Sequence, residues 1–194
     1  RYVEAGPGGS LDLDAVRDVA GEETAAIVVN TPNNPTGGVY DEATVRGLVD
    51  VAESVDAILV VDEVYSHFDH SGRFRSALAV DSPNRVVTSA FSKSMAITGF
   101  RVGYGVFPPD LVAGAKTRHM LTNVTSSRPA QYAVLAALRE TGPDYYERQR
   151  DLLAERIDTF IGGLDAAGAE YTTPDGGFYV MARFEGYPGT SGNV

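Results

Sequence analysis

Asn34, Asp62 and Lys93 stand at, or a few residues past, the carboxyl ends of three apolar runs of strand length. They form a chemical set. A lysine amine condenses with a carbonyl to give an imine, a carboxylate accepts a hydrogen bond from a protonated ring nitrogen, and an amide donates to a phenolate oxygen. Open α/β sheets bind ligands at that edge of the strands. Lys93 and Lys116 are the only lysines among 16 basic residues, so Lys93 does not belong to a lysine-rich surface. The ordinary alternatives are a solvated lysine, an aspartate capping a strand and an asparagine in a turn.

These residues meet only if the runs are neighbouring strands. Ala25 to Asn30 reads as a buried strand, followed by the turn-rich Thr31 to Gly38. Asp41 then caps a helix with Val45, Leu48, Val49 and Ala52 at helical spacing, and Ala57 to Asp62 is a second buried strand. Such a crossover unit joins parallel strands with right-handed sense. Arg85 to Ala90 and Val102 to Phe107 read as a third and fourth strand, with Lys93 in the polar, glycine-containing loop between them. Pro108-Pro109 starts a helix, and two long helices follow around Ala130 to Glu140 and Asp144 to Ala167, separated by Gly142-Pro143. Glu170 to Thr173 and Gly177 to Phe184 read as strands of a second, smaller domain. The predicted fold is α/β: a three-layer sandwich with a mostly parallel sheet over residues 1–141, then a connecting helix and the beginning of a small α/β domain over 142–194.

A cofactor that needs an imine partner, an acceptor for a ring N–H and a donor to a phenolate oxygen is pyridoxal phosphate. The surrounding residues read NTPNNPTGG at Asn30 to Gly38, DEVY at Asp62 to Tyr65, SAFSKSMAITGFRVGY at Ser89 to Tyr104, and a late GGFYV at Gly176 to Val180. In that order and spacing they resemble the fold-type I, class I/II aminotransferases over nearly the whole chain, which implies an aspartate-aminotransferase-like fold. The resemblance implies that Lys93 carries the cofactor and, once released by substrate, acts as the base that moves a proton between the substrate α-carbon and the cofactor. It implies that Asp62 keeps the pyridine nitrogen protonated and that Asn34 and Tyr65 bond the ring oxygen. Arg101, eight residues after Lys93, would pair with the phosphate through two parallel hydrogen bonds, and Ser92 would add a hydroxyl. The family often has Ser or Thr three residues before the lysine; here that residue is Ala90, so one phosphate contact is absent or moved. Glu63 is expected to be structural or surface-facing.

The same resemblance implies ping-pong transfer of an amino group between an L-amino acid and a 2-oxo acid, in a homodimer whose active sites the partner subunit completes. A lyase or synthase on this scaffold, such as a C-S lyase, would use the same residues. A further alternative, from a different class, is an aminotransferase-like regulatory domain fused to a winged-helix DNA-binding domain. The family's substrate-carboxylate arginine and upstream glycine-rich phosphate loop are expected outside this chain. Beginning without methionine and ending on Gly-Asn-Val, it reads as a piece of a longer protein.

Composition narrows the remaining classes. A net charge of -10 with no basic stripe argues against nucleic acid, and no apolar run reaches the roughly 18 to 20 residues that span a bilayer. Without cysteine there is no disulfide framework or thiolate metal site, which favours a cytoplasmic setting. His67, Asp69 and His70 read as turn residues rather than metal ligands, and His119 as a solvated helix residue. Gly99, Gly103 and Gly105 do not follow a dinucleotide fingerprint, and neither a phosphate-cradling loop nor a nucleophile elbow occurs. The Asn123-Val124-Thr125 triplet is expected to be unglycosylated. An acidic, lysine-poor chain fits either a salt-loving organism or a genome that favours arginine codons.

Overall fold

The computed structural model describes residues 1–186. Four strands, β1 (Ala26–Asn30), β2 (Ile58–Asp62), β3 (Arg85–Ala90) and β4 (Gly103–Val106), form one sheet in that order. β1, β2 and β3 are parallel, whereas β4 runs antiparallel to β3. The fourth strand is therefore shorter than Val102 to Phe107. Glycine allows its close approach: a Cβ on Gly103 would stand 2.8 Å from the Ser89 carbonyl oxygen.

Helix α1 (Leu13–Val19) is capped by Asp12, and α2 (Glu42–Ser54) by Asp41, whose Oδ1 accepts from the Thr44 N–H at 2.9 Å and the Thr44 hydroxyl at 2.8 Å. These bonds hold the Asp41 carboxyl below its ordinary pKa. Val45, Leu48, Val49 and Ala52 lie on one face of α2 and bury against Leu59, Val61 and Val87 of the sheet, with Ala77 and Val80 completing the core. Burying a leucine or valine stabilises by roughly 1.5 to 3 kcal/mol, so this layer fixes β2 and β3 side by side.

Lys93 lies in a four-residue helix, α3 (Phe91–Ser94), rather than in an open loop. Then come α4 (Pro109–Asn123), α5 (Arg128–Glu140) and α6 (Pro143–Ala166), each with proline in its first turn. A separate antiparallel pair follows, β5 (Glu170–Tyr171) with β6 (Ala182–Arg183). Only Ala182–Arg183 of the run Gly177 to Phe184 is strand. Its start and the residue before it fold instead onto the large sheet's loops, where the Gly176 N–H donates to the Gly37 carbonyl at 2.9 Å and the Gly177 N–H to the Phe68 carbonyl at 2.7 Å. Gly177 has φ +71°, a turn that a side chain would strain.

Apolar surface is left open elsewhere. Val28 on β1 is 71% exposed, and α4 buries no residue among those described. No helix among the described residues is long and apolar enough to cross a membrane.

Candidate active site

The register of the parallel strands sets the site. Asn30 pairs with Asp62 across β1 and β2, and Asp62 with Thr88 across β2 and β3, so β1 and β2 end level and β3 runs on past them to Ala90. The Asn30 side chain ties two of them together: its Nδ2 donates to the Asp62 carbonyl at 2.9 Å, while its Oδ1 accepts from the Asn34 N–H at 2.9 Å. The adjoining turn is closed by Asn33, which accepts from the Thr36 hydroxyl at 2.8 Å. Thr31–Pro32 and Asn34–Pro35 are cis. The Asp62 carboxylate accepts from the Val64 N–H at 3.1 Å through one oxygen, and among the described residues its second oxygen has no donor.

Tyr65, three residues past β2 and only 5% exposed, is the centre of the cluster. Asn34 Nδ2 donates to its hydroxyl at 3.4 Å, and the Tyr179 hydroxyl lies 3.2 Å away. Burial pushes the Tyr65 phenol up to about 12, so it remains an O–H donor at neutral pH. Lys93 Nζ sits 5.6 Å from the Tyr65 ring centroid and 5.7 Å from that of Phe178, within the range of a cation–π contact. The ammonium makes no ion pair among the described residues. A cleft of about 320 Å³ opens beside it, lined by Ser92, Lys93, Phe178 and, from α6, Tyr145, Leu152 and Arg156.

Ser92 is buried next to Lys93, and its carbonyl accepts from the Thr98 hydroxyl at 3.1 Å. Thr98 in turn accepts, through its own carbonyl, from Arg101 Nη1 at 2.9 Å. Arg101 is exposed and bonded to its own turn; among the described residues it makes no hydrogen bond to Lys93 or Tyr65. Ala96 and Arg101 both hold left-handed backbone, φ +54° and +55°. Non-glycine residues pay roughly 1 to 3 kcal/mol for such conformations, and the cost tends to be met where a loop must present a group in one orientation.

Neighbouring polar residues have other partners. The Glu63 carboxylate is buried and accepts from the Ala77 N–H at 2.6 Å; burial raises its pKa despite that bond. His67 stacks on Tyr146, His70 Nε2 donates to the Gly177 carbonyl at 2.9 Å, and Asp69 caps the turn at Ser71 and Phe74. Sequence reasoning assigned no role to Asn30, Phe178 or Tyr179, although each lies within a motif it singled out. Motif membership was the only available signal, because nothing local shows that residue 179 reaches residue 65.

Fold and site together define a class: an α/β protein that presents one lysine, with phenol, amide and carboxylate groups close by, at the carboxyl edge of a parallel sheet. The chain belongs to the aminotransferase class I and II family, whose model matches residues 1–190. It is 33% identical over 172 residues to the aspartate/prephenate aminotransferase of Thermus thermophilus, covering 88% of this chain and 45% of that protein. To a probable N-succinyldiaminopimelate aminotransferase of Mycobacterium tuberculosis it is 30% identical, covering 93% of this chain and 46% of that protein. A solved mutant of Thermus thermophilus aspartate aminotransferase superposes with a TM-score of 0.87 at 33% identity, covering 93% of this chain and 51% of that one. The chain thus spans about half the length of the relatives it matches.

Proposed function

We propose that this chain forms the lysine-bearing part of a pyridoxal-phosphate-dependent aminotransferase that exchanges amino groups between an L-amino acid and a 2-oxo acid. The observation that carries this reading is the approach of Lys93 to Tyr65, whose hydroxyl accepts from Asn34, at the carboxyl edge where Asn30 pairs with Asp62. The donor set fits the cofactor: among the described residues, an amine without an ion-pair partner and a carboxylate with a spare oxygen, beside a phenol that stays protonated.

When bound, pyridoxal phosphate supplies a carbonyl for Lys93 and a protonated ring that takes up electrons from the substrate α-carbon. Asp62 holds the ring-nitrogen proton by a charge-assisted bond. Tyr65 and Asn34 donate to the ring oxygen. Lys93, with its amine free of the covalent link, would take the proton from the substrate α-carbon and pass it to the cofactor, which requires a free amine within reach of both. Ser92 and Arg101 are the phosphate ligands in this reading, and Arg101 would give up its bond to Thr98 to serve. The division at residue 141, a homodimer and the cytoplasm as its setting belong to the same proposal.

The test is the whole protein assayed against a panel of amino acids with 2-oxoglutarate. Amino-group exchange with parallel-line kinetics is expected. Release of pyruvate and ammonia without exchange would identify a lyase instead, and absence of any turnover or cofactor binding would exclude an enzyme.

A further inference from the structure

Tyr179 has no part in the chemistry above, and its role rests on that reading. We propose that Tyr179 is a positioning residue for Tyr65, its hydroxyl directing the Tyr65 proton toward the cofactor's ring oxygen. The Tyr65 oxygen lies 3.4 Å from Asn34 Nδ2, which can only donate, and 3.2 Å from the Tyr179 hydroxyl, which can donate or accept. If Tyr179 donates, both lone pairs of the Tyr65 oxygen are occupied and its single proton must point to a third group. The Lys93 ammonium offers no acceptor. A ring oxygen bound beside Lys93 does. If Tyr179 instead accepted that proton, Tyr65 would have none to give a negatively charged oxygen.

Packing supports a fixed partner. The Tyr65 and Tyr179 rings meet edge to face with centroids 5.8 Å apart, and Phe178 stands edge-on to Tyr65 at 5.4 Å. The backbone before Tyr179 is tied to the loop after β2 by the Gly177 N–H to Phe68 carbonyl bond of 2.7 Å and by His70 Nε2 donating to the Gly177 carbonyl. Tyr179 thus brings a segment 114 residues away into control of the ring oxygen.

The experiment uses the whole protein loaded with pyridoxal phosphate and reads the pH midpoint of the bound cofactor's visible absorption. A hydroxyl donating to the ring oxygen stabilises its anionic form, so weakening that donor raises the midpoint. Tyr65→Phe should raise it, and Tyr179→Phe should raise it less, by roughly half a pH unit for one neutral hydrogen bond. In the Tyr65→Phe background, Tyr179→Phe should add nothing, because its effect passes through the lost hydroxyl. Tyr179→His, which restores a ring N–H donor, should move the midpoint back toward wild type. Should Tyr179→Phe fail to fold, Tyr179→Leu takes its place in the same cycle. An unmoved midpoint, or a shift that persists without the Tyr65 hydroxyl, overturns the proposal while leaving the aminotransferase reading intact. Failure of borohydride to fix the cofactor on Lys93 would overturn both.

Discussion

Gly176→Ala should loosen the site without touching a group that does chemistry. A Cβ at Gly176 would stand 2.8 Å from Pro32 Cβ, 2.8 Å from Val39 Cγ2 and 2.9 Å from the Phe68 carbonyl oxygen. None of the three can retreat easily. Pro32 is fully buried, Val39 is buried, and the Phe68 carbonyl is held by the Gly177 N–H at 2.7 Å. The segment carrying Gly176 must therefore move outward. Overpacking of this kind costs about 1 to 3 kcal/mol, and the bonds from the Gly176 and Gly177 amides, worth roughly 1 kcal/mol each, weaken with it. Tyr179 follows three residues later, so Tyr65 loses its partner and cofactor affinity should fall several-fold. Gly163→Ala is the control: it lies in α6 with open space around the new methyl, and it should stabilise by about 0.5 to 1 kcal/mol. Denaturant midpoints and cofactor titration of the two variants give both quantities. A Gly176→Ala protein as stable as wild type, with unchanged cofactor affinity, would refute the packing described between residues 176–179 and the sheet loops.

Asp62→Asn keeps an acceptor for the Val64 N–H but removes the charge that would hold the ring proton. Turnover should fall by orders of magnitude with cofactor still bound, as measured by steady-state kinetics beside absorbance, and near-normal turnover would remove Asp62 from the mechanism. The Glu63 carboxyl titrates above its ordinary value of 4.5 because it is buried, so its share of stability is complete below that pH and is lost as pH rises through the folded value. Glu63→Gln, which can still accept from the Ala77 N–H, should flatten the decline of stability as pH rises from 4.5; an unchanged pH slope in denaturation would contradict this.

Much of this fold is written in local pattern. The three parallel strands end where apolar runs give way to Asn30, Asp62 and Ala90, and α2 begins at its Asp41 cap, because burial and capping act over a few residues. Asn34, Asp62 and Lys93 could be placed at one sheet edge for the same reason. The antiparallel direction of β4 was not legible, since an alternating or apolar run does not state which way it pairs. Nor was α3, whose four residues are too few to show a helical period. The Tyr65–Tyr179 bond depends on Gly176 and Gly177 turning a distant segment onto the sheet loops, a tertiary event that no window of sequence contains.

Lys93 as the residue that carries the cofactor is tested most directly by borohydride reduction of the pyridoxal-phosphate-loaded whole protein, followed by peptide mapping. Lys116 lies in α4 on the exposed side of the chain and serves as an internal control. The pyridoxyl label should fall on Lys93 alone; label on Lys116, or no label at all, would contradict the assignment.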